Sequence, residues 1–431
     1  MLNTRVTSSG ALAALLARRP PQRVNWGLAR MNEMLEALGH PEAGLRAIHV
    51  AGTNGKGSVV VTADSILRAA GHRTGRYTSP HLVGFSERIA VDGQAVSDEL
   101  LESCAQGILP LAERVDATFF EAATALAFDA FRRSGVTTAV VEVGLGGRLD
   151  ATNVLDAAVS VITSIDLDHA EYLGTDLVSI AREKAGIIGA GRTAVIGPVA
   201  GAAGEELRSL AGELGAHVVQ FGTDVSVEAV EVGREGTQFT YRGGARRRDL
   251  RLVTPLHGAH QAVNAALAVA AVDALAPGGV DDGQVCDGVE SVHWPGRFQI
   301  DVRHDGTWVY DIAHNPAGAR ALADVVAQVD LPAPVVLLVS VLADKAWSEV
   351  LAPLLAVTDA AVLTLAPSVP AERRWNATAA RESLGESKPA EVVLDFDRAL
   401  STARVRAGNG TVLVAGSCHT VGDALRRNAC A

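Results

Sequence analysis

Between Arg46 and Ala200 short apolar, β-branched runs alternate with stretches whose apolar positions recur at helical spacing. That alternation predicts a parallel α/β sheet. It gives strands over 47–50, 138–143 and 159–165, with helices over 58–70 and 120–133. The pattern then changes. Over 223–255 apolar and polar residues alternate singly around Gly233 and Gly243-Gly244, the signature of antiparallel hairpins. An alanine-rich helix follows over 261–276. Past Trp294-Pro295-Gly296-Arg297 the strand–helix alternation restarts, with strands expected at 308–312, 335–341, 360–365, 392–395 and 411–415. Two domains are therefore expected, 1–293 and a smaller one over 294–431, in keeping with a chain of 431 residues. The first 30 residues carry arginines and no acid, which faintly resembles an organelle-targeting segment. A helix from Gly10 to Arg19 opening the fold is the better reading, because no apolar core with a cleavage site follows.

Composition narrows the functional classes. Apolar residues make up 48% and charged residues 20%, and no apolar run reaches the roughly 20 residues of a membrane span. A formal net charge of −11 disfavours a nucleic-acid partner but not a nucleotide, since one site can be positive on an acidic protein. Cys104, Cys286, Cys418 and Cys430 lack metal-ligand spacing and read as reduced thiols of a cytoplasmic protein. Of 38 basic residues only Lys56, Lys184, Lys345 and Lys388 are lysines. Such a bias keeps lysine where a compact primary amine is needed, Lys388 in its polar stretch excepted.

The chemistry begins at the first strand. It runs into Gly52-Thr53-Asn54-Gly55-Lys56-Gly57-Ser58, and a helix follows. Strand, glycine-rich turn and helix form a phosphate cradle. Backbone N–H groups attract anionic oxygens, Lys56 adds a point charge, and the Ser58 hydroxyl can reach a magnesium ion. The general P-loop pattern does not fit literally: Gly57 separates the lysine from the hydroxyl, and Val50 stands where a glycine is wanted. Glu142 ends an apolar run at the carboxyl end of its strand, the edge where ligands of an open α/β sheet gather. A carboxylate there is expensive to bury unless paired or bound to metal.

The loop Ala51 to Ser58 resembles that of the folylpolyglutamate synthase and dihydrofolate synthase family, within the Mur ligase superfamily. Further segments resembling it, in the same order, are Tyr77 to Leu82, Thr118-Phe119-Phe120-Glu121, Glu142 to Asn153, Asp168-His169, Glu183 to Ile187, Pro295-Gly296-Arg297 and Asp311 to Pro316. The resemblance implies an α/β chain: an N-terminal P-loop ATPase domain with a small antiparallel β subdomain, then a smaller Rossmann-like C-terminal domain. It implies an ATP-dependent ligase in which a substrate carboxylate becomes an acyl phosphate and the amine of L-glutamate displaces the phosphate. ATP and two magnesium ions are the implied cofactors. Ser58, Ser79, Glu142 and His169 are the implied metal ligands, with Lys184 carboxylated by CO₂ to help hold the second ion. Gly52 to Ser58, Asn264, Arg297 and Asp311 are implied for the nucleotide, with His314 and Asn315 facing the acyl phosphate and glutamate. Lys56, Lys184, Asp311 and His314 would carry the catalysis, aided by closure of the domains.

For the pterin substrate the resemblance points to Asn25, Trp26 and Gly27, to Thr118, Phe119, Phe120 and Glu121, and to Arg148, Asp150 and Ala151. His314 and Ser417 complete the implied substrate residues, while Lys345, Ser417 and His419 sit at strand ends without an assigned role. Gly-Gly-Arg-Leu-Asp-Ala-Thr-Asn and Gly-Ser-Cys-His-Thr-Val resemble the bifunctional bacterial type, which joins glutamate both to dihydropteroate and to reduced folates. A monomer acting on small molecules, without nucleic acid or membrane, is expected. The alternatives are a polyglutamating enzyme only, a peptidoglycan-precursor ligase, or a nucleotide switch without amide synthesis. Gly57, Pro80-His81-Leu82 and Phe119-Phe120-Glu121 speak against the second; Glu142, His169 and Lys184 speak against the third.

Overall fold

The computed structural model describes residues 10–18, 27–244, 248–384 and 389–429. Asn25 and Trp26, implied above for the pterin, and Lys388 and Cys430 lie outside them. Two compact units emerge. The first comprises Met1–Ala229, Phe239–Val253 and Ala262–Val292, the second Val230–Gln238, Thr254–Gln261 and His293–Ala431. Besides the residues after 293, two short segments of the hairpin region thus join the second unit.

The first unit holds an eight-stranded sheet. The strand Arg46–Ala51 lies inside it, with Thr138–Glu142 parallel on one side and Val159–Ile162 parallel on the other. Both faces are covered, so residues 47–51 are all buried, the reason a continuous apolar run and not an alternating one marks this strand. Thr74–Tyr77 pairs parallel beyond Thr138–Glu142, and Thr193–Ile196 beyond Val159–Ile162. The chain leaves Arg46–Ala51 towards one side and later returns to the other. Its loop therefore opens at the topological switch point, where the flanking connections diverge and leave a crevice. The helix Lys56–Ala69 that follows is buried from Gly57 to Leu67.

The expected strand over 159–165 stops at Ile162 because Thr163 to Asp166 turn away to hold the loop described below. The hairpin region forms a three-stranded sheet of Val225–Gly233, Gly236–Gly243 and Arg248–Thr254. The second unit carries a six-stranded sheet in which Gly306–Tyr310, Thr411–Ala415, Val335–Val339, Ala360–Leu363 and Ala390–Val392 run parallel. Gln299–Arg303 adds an antiparallel edge. The expected strand over 392–395 instead ends at Val392, since Asp395 serves as N-cap of the helix Phe396–Ala407 and accepts from Arg398 N. Among the described residues no helix is long and apolar enough to cross a membrane.

Candidate active site

The glycine loop is held from its neighbour strand. Thr53 N donates to Ser164 O at 2.9 Å and Asn54 N to Ser164 Oγ at 3.0 Å. Thr163 Oγ1 donates to Asn54 O at 2.6 Å, and Thr53 Oγ1 exchanges hydrogen bonds with the backbone of Asp166. A Cβ at Gly52 (φ +149°) would collide with Thr163 Oγ1, and one at Gly55 (φ +85°) with Asn264 Oδ1. Only glycine fits either place. Gly55 is also the N-cap of the helix Lys56–Ala69 and carries no side chain to cap it, so the helix starts inside the loop with a positive end suited to an anion. Asn264, implied for the nucleotide, is thereby brought against the loop.

Two lysines converge on one carbonyl. Lys56 Nζ donates to Gly52 O at 3.0 Å and to Thr53 O at 3.2 Å; Lys184 Nζ donates to the same Gly52 O at 2.9 Å. Lys184 closes the helix Leu177–Ala185, started by the N-cap Asp176, and is 4% exposed. Burial, followed by the nearby charge of Lys56, lowers its pKa to about 7 against the weaker pull of Asp168 and Asp150. A buried lysine that is neutral in part near neutrality is a nucleophile, unlike a solvated one.

Glu142 lies at the end of its strand, 4% exposed, and its Oε2 accepts from Ser79 N at 3.0 Å. Ser58 sits in the first helical turn and is buried. Carboxylate and hydroxyl oxygens are the donors magnesium prefers, and that ion completes its shell from phosphate and water. Glu142, Ser79 and Ser58 therefore fit such an ion. His169 is exposed at a left-handed φ of 52°, with Nε2 3.9 Å from Asp168 Oδ1. Among the described residues no three His, Cys, Asp or Glu side chains form a metal cluster.

The residues implied for the pterin have structural duties as well. Thr118 and Glu121 form a capping box on the helix Phe119–Arg133, and buried Glu121 also pairs with Arg30 at 2.9 Å. Phe120 packs over Gly144 and lies 6.2 Å from the Tyr77 ring. Arg148 pairs with Glu183 at 2.8 Å. Asp150 is buried, accepts from Leu145 N and from Thr152, and has its pKa raised by burial. Ala151 opens a 3₁₀ turn behind it, and Gly27 lies at the edge of a described stretch. Sequence reasoning missed His49, wholly buried in the loop strand, whose Nε2 meets Thr152 Oγ1 at 2.8 Å. Desolvation lowers its pKa to about 3, so it is neutral. The signal was there: a histidine inside an otherwise apolar run.

In the second unit Asp311 accepts from Phe298 N at 2.9 Å and Ala313 N at 2.8 Å. Desolvation raises its pKa while Arg297 opposes the shift. The Arg297 guanidinium stands 5.7 Å over the Trp294 ring, and His314 Nδ1 lies 2.9 Å from Ile312 O. Ser417 is buried as the N-cap of the helix Cys418–Asn428, its Oγ 2.7 Å from Thr420 Oγ1.

Residues 50–272 match the Mur ligase middle domain, and residues 296–418 match the Mur ligase glutamate ligase domain. This chain belongs to the Mur ligase family. A dihydrofolate synthase/folylpolyglutamate synthase of Mycobacterium tuberculosis is 40% identical to it over 372 residues, 80% of this chain and 76% of that protein. Escherichia coli FolC, solved in complex with DHPP and ADP, matches with a TM-score of 0.85 and 32% identity, covering 98% of both chains. A bifunctional folylpolyglutamate synthase/dihydrofolate synthase with Mn, AMPPNP and L-glutamate bound matches at 0.84 and 32%, covering 98% of this chain and 100% of the other. These relatives lie in the folate-ligase branch of the family, the branch to which Gly57 and Pro80-His81-Leu82 pointed.

Proposed function

We propose that this Mur ligase joins L-glutamate to pterin acids at the expense of ATP, acting both on dihydropteroate and on the γ-carboxyl of reduced folates. The observation that carries the reading is the convergence of Lys56 and Lys184 on Gly52 O, beside a loop built to receive phosphate. The loop N–H groups and Lys56 hold the phosphates, and Asn264 steadies the loop at Gly55. The resemblance assigns Arg297 and Asp311 to the nucleotide and His314 to the acyl phosphate. The substrate carboxylate attacks the γ-phosphorus, ADP leaves, and the glutamate amine then attacks the acyl carbon and expels phosphate. Ser58, Ser79 and Glu142, with His169, would hold magnesium, which would supply positive charge against the phosphates. Lys184 is carboxylated. Its lowered pKa supports this, because only the neutral amine adds to CO₂. Thr118 to Glu121 and Arg148 to Ala151 are assigned to the pterin, as the resemblance implies for Asn25, Trp26 and Gly27 as well, and Ser417 is assigned to the substrate. We further propose that the enzyme is a cytoplasmic monomer divided near residue 293.

The test supplies purified protein with ATP, magnesium and glutamate, plus dihydropteroate or tetrahydrofolate, and follows products by mass spectrometry. Dihydrofolate from the first and a diglutamate from the second are expected. Product from tetrahydrofolate alone would leave only the polyglutamating activity, and no product from either would overturn the reading.

A further inference from the structure

Two arginines are buried among the described residues, Arg88 at 7% exposure and Arg248 at 6%. A guanidinium cannot shed its proton, so burial demands a counter-charge. Arg248 has two, bonding Asp273 and, at 2.8 Å, Asp282. Arg88 pairs with no carboxylate among the described residues. Its Nε donates to the neutral acceptor His81 Nδ1 at 2.9 Å, and the guanidinium lies over the rings of Phe85 (5.9 Å) and Phe119 (5.4 Å). The adjacent acid, Glu87, is spent elsewhere. It accepts from Leu82 N, Val83 N and Gly84 N at 2.8, 2.9 and 2.6 Å. Residues 1–9, 19–26 and 245–247 contain no acid. The two Nη groups have no hydrogen-bond partner among the described residues, and they are not sealed off as the Arg248 Nε is.

The position of this cation is informative. Arg88 O accepts from Thr78 N, the residue before Ser79. Its neighbour Tyr77 pairs in the sheet with Val141, the residue before Glu142, and the Tyr77 ring lies 6.2 Å from that of Phe120. Arg88 therefore lies next to the strand that ends at Glu142 and against Phe119, in the segment assigned above to the pterin.

We propose that Arg88 is a specificity-determining residue of this ligase: its Nη groups take a carboxylate of the pterin acid, which becomes the missing counter-charge. The proposal rests on the folate-ligase reading. Two oxygens meeting two N–H groups suit a planar fork, and its place over the Phe85 and Phe119 rings holds the guanidinium there in advance. Dihydropteroate has one carboxylate, the reacting one, whereas a folate adds the α-carboxylate of its glutamate.

The experiment measures equilibrium binding of dihydropteroate and of its carboxamide analogue to the wild type, Arg88→Met and Arg88→Lys, alongside KM for each substrate. Wild type should favour the acid over the amide by at least about 10-fold. Arg88→Met should bind the two alike, with KM for the pterin acid raised about 10- to 100-fold and KM for ATP and glutamate unchanged. Arg88→Lys keeps the charge and should recover part of the preference, which separates recognition from misfolding. KM should rise with both dihydropteroate and tetrahydrofolate, because the reacting carboxylate is common to both; a rise with tetrahydrofolate alone would place a different carboxylate there and overturn the assignment. An acid-to-amide ratio in both variants equal to the wild type overturns the proposal, as does equal loss of acid and amide affinity. Wild type inactive on every pterin acid would instead remove the folate-ligase reading.

Discussion

Replacing Lys184 by methionine should make the protein more stable in mild acid while abolishing turnover. In the fold the amine titrates at about 7 against 10.5 for a free lysine, chiefly because it is desolvated beside Lys56. The folded pKa lies below the unfolded one, so folding expels a proton between those values. The penalty is full below about pH 7, shrinks as pH rises and is gone above about 10.5. Moving from 10.5 to about 7 corresponds to about 5 kcal/mol at its limit, and between pH 6 and pH 10 about 4 kcal/mol of it is released. Lys184→Met lacks that titration. Urea unfolding of both proteins at the two pH values, in CO₂-free buffer, isolates the linkage. Packing and the lost bond to Gly52 O shift the two measurements alike and cancel in the difference. The wild type should gain about 4 kcal/mol on the variant between pH 6 and pH 10. At pH 8 the same shift makes about nine-tenths of the amine neutral, against about 0.3% for an ordinary lysine. Removal of CO₂ should therefore slow wild-type turnover reversibly. A stability difference independent of pH would refute the reasoning, because Lys184 would then titrate as a solvated lysine with no special readiness for CO₂.

Three further substitutions probe the site and the fold. Gly55→Ala forces a side chain into a left-handed backbone at a cost of about 1–2 kcal/mol and against Asn264 Oδ1, so ADP affinity measured by titration should fall at least about 10-fold. Glu142→Gln retains an oxygen to accept from Ser79 N, so melting should change little. Its magnesium-dependent turnover should nevertheless drop by about 10²-fold or more, and full turnover would contradict the metal assignment. Asp273→Asn leaves Arg248 with Asp282 alone and should cost about 3 kcal/mol of stability by denaturant titration, with activity per folded molecule unchanged.

The strand–loop–helix unit was legible because its signals are local: a continuous apolar run, glycines where the backbone turns left-handed, and a helical period after Lys56. What closes the loop was not legible. Thr163, Ser164 and Asp166 look like the end of an apolar strand, and their task appears only when parallel pairing sets them beside Thr53 and Asn54. The same limit applies to single polar residues. Thr118-x-x-Glu121 reads equally as a substrate segment and as a capping box, and in the fold it caps a helix and pairs with Arg30. Ser417, at a strand end, caps a helix too.

Lys184 and Arg88 mark the two sides of that limit. The rarity of lysine drew attention to Lys184, and the fold supplies the cause: burial beside a second cation on a shared carbonyl. Arginine is abundant in this chain, so nothing in the sequence singles out Arg88. Its distinction lies wholly in what surrounds it: two phenyl rings, a histidine nitrogen and a glutamate turned to other donors. Composition identifies a functional residue when its type is scarce. When the type is common, function has to be read from an electrostatic imbalance, and that imbalance exists only once the chain has folded and the charge has been buried without its partner.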